Sequence, residues 1–224
     1  FPLKVSGILW ILQRTTSIIG KSSHHKNVSR EDFHAMADLA QEEGVFHESE
    51  SLVIKNVIDF KKMVAKDIMT PRTVIKMANE QMTIREFYDK NPQLKFSRIP
   101  IFKESPDDIS GYFLKDQLFE SIINGQGDKT LQTICRDIYI AARETPIKTL
   151  FENLIEKQEH IALIVDEFGS VSGIVTQEDI IETLLGLEIV DESDSDEDLQ
   201  VLARKLWRIR AKRHGIIDQE TPDE

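Results

Sequence analysis

The chain has 224 residues, 40% of them hydrophobic and 30% charged, which supports one globular domain with appendages and argues against wholesale disorder. Its net charge of −11 argues against a general nucleic-acid binder. The single cysteine, Cys135, excludes an internal disulfide and points to a reducing compartment.

The first residue is Phe1 rather than Met, so the chain is expected to be a piece of something longer. Phe1 to Gly20 is the most apolar stretch near either end. Its longest uncharged run, Val5 to Gln13, is nine residues. A spanning helix needs about 20. No small-residue cleavage site marks a signal peptide. Two readings stay open. One is an interfacial helix with Trp10 at headgroup depth and Lys4, Arg14, Lys21 and Lys26 beside anionic lipid. The other is a helix packed on the protein.

Ser29, with Asp32 three residues on, predicts a capped helix running to about Glu43 and stopped by Gly44. Glu48 and Glu50 open a second helix with Leu52, Val53, Val57 and Phe60 at helical spacing. This pair carries Glu31, Asp32, Asp38, Glu42, Glu43, Glu48 and Glu50. On composition alone that is a solvated acidic face.

A repeated half-domain follows. In the first copy, from about Val64 to Ile123, Pro71 breaks a helix and Thr73 to Ala78 reads as a short buried strand. Thr83 caps a helix, Arg98 to Phe102 and Gly111 to Leu114 are strands, and Lys115 to Ile123 is a helix. In the second copy, from about Cys135 to Leu185, Arg136-Asp137-Ile138 reads as an echo of Lys66-Asp67-Ile68. Pro146 starts a helix. His160 to Val165 and Val171 to Val175 are strands joined by a turn at Gly169, and Glu178 to Leu185 is a helix. Each copy is β-α-β-β-α. A repeat this short cannot bury its own apolar face, so two copies should fold together as an α/β (α+β) sandwich. The copies close with Ser110-Gly111-Tyr112-Phe113-Leu114-Lys115-Asp116-Gln117 and Ser172-Gly173-Ile174-Val175-Thr176-Gln177-Glu178-Asp179.

Seven of the eleven residues from Glu188 to Asp198 are acidic, which reads as a solvated linker without the spacing of a calcium loop. Leu199 to His214 reads as a basic helix that can pair with the acidic run. The histidines His24, His25, His34 and His47 lack convergent zinc-ligand spacing. No nucleophile–base arrangement has spacing support, so an enzyme is not expected.

The motifs Asp67-Ile68-Met69-Thr70-Pro71-Arg72, Ser97-Arg98-Ile99-Pro100-Ile101-Phe102, Val165-Asp166-Glu167-Phe168-Gly169 and Gly173 to Asp179 resemble the CorC/HlyC group of CBS-pair proteins, related to the CNNM magnesium transporters. The resemblance covers about Lys26 to Asp191. It implies a tandem CBS pair preceded by an acidic helical pair and followed by a short basic helix. The expected boundaries are 1–28 for the end of a membrane domain or juxtamembrane helix and 29–62 for the acidic helices. The CBS repeats are expected at 63–127 and 128–187, and the acidic linker and basic helix at 188–224. The further C-terminal domain of many relatives is expected to be absent.

The resemblance also implies that ATP or another adenosine nucleotide binds between the repeats. Thr176 and Asp179 match the ribose positions, where a carboxylate suits a 2′,3′-diol. The same two residues read equally as a helix cap. Arg98 matches the arginine that meets phosphates, and Thr73, Ser97 and Pro100 line the expected cleft. In the first copy Leu114 and Gln117 replace Thr176 and Asp179, so one nucleotide per chain is expected. Mg2+ should ride on nucleotide phosphates, with Glu42, Glu43, Glu48 and Glu50 as candidate acidic residues near an ion exit.

The expected function is a nucleotide-sensing region of a magnesium or divalent-cation transporter, at the cytoplasmic face of the membrane. It is expected to homodimerise through the CBS pair and to adjoin an upstream transmembrane domain, without nucleic acid. The faces of Phe119, Ile122 and Ile123 and of Ile181, Leu184 and Leu185 are either that dimer contact or core. The alternative is a stand-alone nucleotide-binding module acting on a partner protein.

Overall fold

The computed structural model describes residues 28–186. The expectations for the apolar start of the chain and for the acidic linker and basic helix lie outside the described residues.

Helices α1 (Arg30–Glu42) and α2 (Glu48–Phe60) form a hairpin. Ser29 and Asp32 make the expected capping box: Ser29 Oγ accepts the Asp32 N–H at 3.1 Å and Asp32 Oδ2 accepts the Ser29 N–H at 2.8 Å. Gly44 then turns the chain at φ +73°. The helices meet at buried Ala37 and Ser51, with Ser51 Oγ donating to the Ala37 carbonyl at 3.3 Å. The Lys55–Asp38 ion pair and a contact of 3.3 Å between His34 Nε2 and Asp59 Oδ2 flank that contact.

After the hairpin come α3 (Ala65–Ile68), β1 (Thr70–Pro71), a 3-10 turn (Arg72–Val74), β2 (Ala78–Asn79), α4 (Ile84–Lys90), β3 (Arg98–Phe102), β4 (Ile109–Leu114) and α5 (Lys115–Ile123). A second 3-10 turn (Leu131–Ile134) leads to β5 (Tyr139–Ala142), α6 (Ile147–Glu156), β6 (Ile161–Val165), β7 (Val171–Thr176) and α7 (Gln177–Leu185). Both copies are thus β-α-β-β-α, as β2-α4-β3-β4-α5 and β5-α6-β6-β7-α7.

The sheets are not closed within each copy. One has the order β2-β3-β4 and the other β1-β7-β6-β5. Within each, the strands flanking the first helix run parallel and the hairpin strands antiparallel. Strand β1, from the leader of the first copy, pairs with β7 of the second, Thr70 opposite Ile174 and Pro71 opposite Gly173. In return the second leader crosses the first copy, where Arg136 bridges Tyr112. The two cores record the exchange. Ala65 and Ile68 pack with Ile147, Leu150, Leu154, Ile164, Val175 and Ile180. Leu131 and Ile134 pack with Ile84, Phe87, Ile99, Ile101, Phe113 and Leu118. Phe87 and Phe113 meet edge to face at 5.2 Å.

Two sequence expectations need correction. Thr73 to Ala78 is not a single strand. The chain must leave one sheet at Pro71 and enter the other at Ala78, so it turns between them. The echo of Lys66-Asp67-Ile68 is also not Arg136-Asp137-Ile138. The bridges make Arg136 equivalent to Thr70, so the true counterpart is Gln132-Thr133-Ile134, one helical turn earlier. An apolar residue recurring every four positions hides such a slip.

Thr83 caps α4, its Oγ1 accepting the Glu86 N–H at 3.1 Å. Thr83→Ala should cost about 1 kcal/mol of unfolding free energy. Chemical denaturation reads this, and an unchanged midpoint would refute the contribution.

Candidate functional site

Thr176 ends β7 and Asp179 lies in the first turn of α7. Their capping box is complete. Asp179 Oδ2 accepts from the Thr176 N–H at 2.6 Å and from Thr176 Oγ1 at 2.8 Å, and Thr176 Oγ1 accepts the Asp179 N–H at 3.2 Å. This fixes both side chains, half-buried, at a helix start whose N–H groups and dipole favour anions. Capping and ligand binding are therefore compatible roles for one pair.

Arg98 begins β3, in the other sheet, yet its Nη1 reaches Glu178 Oε1 in the first turn of α7 at 3.5 Å. The exchange of leaders holds the two copies close enough for this. The arginine is 22% exposed and the glutamate 52%. A pair that open to water contributes at most about 1 kcal/mol, so Arg98 can exchange Glu178 for another anion at little cost. Glu178 stood within the quoted motif, but no local signal in the sequence paired it with a residue 80 positions away.

Thr73 is exposed in the 3-10 turn that follows β1, and this turn packs beside β7. Ser97 is exposed next to Arg98, and its carbonyl accepts the Lys115 N–H at 2.9 Å, at the start of α5. Pro100 is buried within β3, opposite Tyr112. Tyr112 exchanges both backbone hydrogen bonds with Arg136, so nothing on β4 needs the N–H that proline lacks. Thr176, Asp179 and Arg98 thus converge on the start of α7. Thr73 lies in the turn beside β7, while Pro100 is buried within β3.

The pseudo-equivalent position is built differently. Leu114 pairs with Arg98 as Thr176 pairs with Ile161, so the register makes Leu114 the counterpart of Thr176. Helix α5 starts there without a side-chain cap. Tyr112, buried at the counterpart of Ile174, donates from its hydroxyl to Glu159 Oε2 at 3.0 Å. Burial, and then the Glu159 carboxylate, push the Tyr112 hydroxyl above its ordinary pKa, so it stays a donor. Sequence reasoning missed this lock between the repeats, because a tyrosine in an apolar strand reads as core.

Cys135 is half-buried, and burial followed by Glu80 and Asp137 raises its thiol pKa, which disfavours a reactive thiolate. Glu42, Glu43, Glu48 and Glu50 are exposed around the hairpin turn, and Glu50 Oε2 accepts the His47 N–H at 2.8 Å. Among the described residues, no three His, Cys, Asp or Glu side chains converge to hold a metal ion.

The family model for the CBS domain matches residues 132–186. The UPF0053 protein sll1254 of Synechocystis is 31% identical over 209 residues, covering 93% of this chain and 60% of that protein. The magnesium and cobalt efflux protein CorC of Escherichia coli is 26% identical over 196 residues, covering 87% of this chain and 67% of that protein. The chain spans less than two thirds of the first relatives' own length: 60% of the Synechocystis protein and 45% of YugS from Bacillus subtilis. Among solved structures, the CBS domain of a bacterial CNNM/CorC family Mg2+ transporter superposes with a TM-score of 0.66 at 28% identity, covering 73% of this chain and 99% of that one. A structure so described in complex with ATP has a TM-score of 0.59 at 27% identity, covering 62% and 98%. With its two exchanged β-α-β-β-α repeats, the chain belongs to the CBS domain family, alongside relatives named UPF0053 and CorC.

Proposed function

We propose that this chain is the nucleotide-sensing regulatory region of a membrane transporter for magnesium or a related divalent cation. The observation that carries the reading is the convergence of Arg98 from one repeat with the Thr176–Asp179 cap of the other. Asp179 and Thr176 take the ribose hydroxyls of an adenosine nucleotide. Arg98 leaves Glu178 and meets phosphate, with Thr73 and Ser97 at the rim. Mg2+ travels on the phosphates. The solved CNNM/CorC CBS structure in complex with ATP supports this choice of ligand.

Helix α7 links that site to the hairpin. It is capped by Thr176 at its start and by Gly186 at its end, where an added Cβ would lie 2.5 Å from Asn56 Nδ2 and 2.7 Å from Leu52 Cδ2 of α2. A ligand that shifts the start of α7 therefore acts on α2 through a nine-residue rod. Such a link transmits only the difference in ligand affinity between two arrangements, typically about 1–3 kcal/mol. In this reading the hairpin passes that bias to a transmembrane domain, with the CBS pair at the cytoplasmic face. No helix among the described residues is long and apolar enough to cross a membrane. Homodimerisation through the CBS pair uses the exposed Phe119, Ile123, Ile181 and Leu185.

Calorimetric titration with ATP, with and without Mg2+, tests the proposal. About one nucleotide per chain is expected. Arg98→Ala should weaken ATP by roughly 10- to 100-fold, since a hydrogen bond to a charged group contributes about 1.5–3 kcal/mol, and AMP by less. No heat with the folded chain would sink the reading.

A further inference from the structure

The hairpin carries an apolar face that the fold leaves open. Its inner side is spent on the contact around Ala37 and Ser51, and α2 turns Leu52 and Asn56 to α7. On α1, Phe33, Met36 and Leu39 remain 48%, 59% and 54% exposed. The turn folds back on this helix, Phe46 N–H donating to the Ala40 carbonyl at 3.1 Å. Beyond it lies a groove of about 390 Å3 lined by Phe46, Ser49, Glu50, Val53 and Ile54. Three large apolar side chains at this exposure, on a hairpin that also carries this groove, mark a contact surface.

Charge selects what covers it. Between Arg30 and Phe60 stand eight acids and two bases. An anionic membrane surface and a second acidic hairpin are both repelled. A basic amphipathic partner is attracted, and this chain contains one. Leu199 to His214 has six Lys and Arg and no acid, with Leu199, Leu202, Leu206 and Ile209 at helical spacing. The described chain stops at Gly186, already against α2. The twelve intervening residues reach up to about 40 Å when extended, whereas each 13-residue hairpin helix is about 20 Å long. Acids dominate those residues, so they carry the same sign of charge as the hairpin.

We infer that the segment Leu199–His214 docks in cis on the apolar, acid-rimmed face of α1 and α2. There it covers Phe33, Met36 and Leu39 and neutralises part of the hairpin's charge. Because the acids that flank this face are exposed, the contact is salt-sensitive.

Trp207 reports on it. The chain has two tryptophans, so Trp10→Phe leaves Trp207 as sole emitter. Acrylamide, a neutral quencher, should reach Trp207 poorly in that 224-residue variant. Protection should be lost at about 1 M salt, where charges are screened beyond about 3 Å. It should also be lost when Phe33→Asp and Met36→Asp are combined, and equally when Arg204→Glu and Arg208→Glu are combined. Both hairpin positions are exposed, so the fold survives, which far-UV circular dichroism checks. Quenching that is free from the start overturns the inference. So does protection that persists in both double variants, or protection that disappears on dilution, which would place the contact between two copies.

Discussion

Asp179→Ala is expected to weaken adenosine nucleotide binding at least about 100-fold, because it removes two charge-assisted hydrogen bonds of about 1.5–3 kcal/mol each from the ribose. Asp179 also closes the α7 cap through Thr176, so some stability is lost as well, by about 0.5–2 kcal/mol. Asp179→Asn separates the two effects. An amide oxygen still accepts from Thr176 and keeps most of the cap, but the amide carries no charge and offers the diol only one acceptor atom. Affinity should therefore fall in both variants, while the thermal midpoint falls mainly in the alanine. If calorimetry shows Asp179→Asn binding ATP like the parent, the carboxylate is a cap and nothing more. Gln117→Ala in the pseudo-equivalent position should leave affinity unchanged, since Tyr112 and Glu159 already bridge the repeats there.

Gly173→Ala should produce a large loss of stability for so small a change. A Cβ at this position would lie 2.5 Å from the Thr70 carbonyl oxygen and 3.0 Å from Met69 Sδ. Backbone cannot give way as a side-chain tip can, so β1 must lift from β7. Overpacking of this kind costs about 1–3 kcal/mol, and loss of the leader's pairing places it at the upper end. For a chain of this size that lowers the melting temperature by about 5–10 °C. Gly111→Ala meets the mirror obstacle, at 2.2 Å from the Arg136 carbonyl oxygen and 2.6 Å from Cys135 Sγ. Gly169→Asn is the contrast. Its turn has open space around it and φ +81°, which asparagine tolerates, so little should change. Equal melting temperatures for Gly173→Ala and Gly169→Asn would refute the close-approach argument. Because β1 precedes the turn that carries Thr73, Gly173→Ala should also weaken nucleotide binding, whereas Thr83→Ala should not.

Local elements were legible where one short-range signal dominated. Ser29 with Asp32, Thr83 as a cap and the Gly169 turn each act within four residues, and each is found where the spacing placed it. The α5 span agrees residue for residue, and α7 begins one residue early because Thr176 is its cap. The departures share a cause. The stretch after Pro71 and the internal alignment at Arg136 both lie in the leaders, whose hydrogen-bond partners sit in the opposite repeat.

The sequence by itself determined the two β-α-β-β-α copies, the acidic hairpin, and the asymmetry between Thr176–Asp179 and Leu114–Gln117. These follow from periodicity, capping chemistry and side-chain type, all of which act along the chain. Only the tertiary structure decided that the leaders are exchanged. It alone put Gly173 and Gly111 against another backbone, and it alone brought Arg98 to Glu178 and Tyr112 to Glu159. Those contacts join residues 24 to 104 positions apart. Such pairings are set by which surfaces meet when both cores are buried together, and no local pattern encodes that choice.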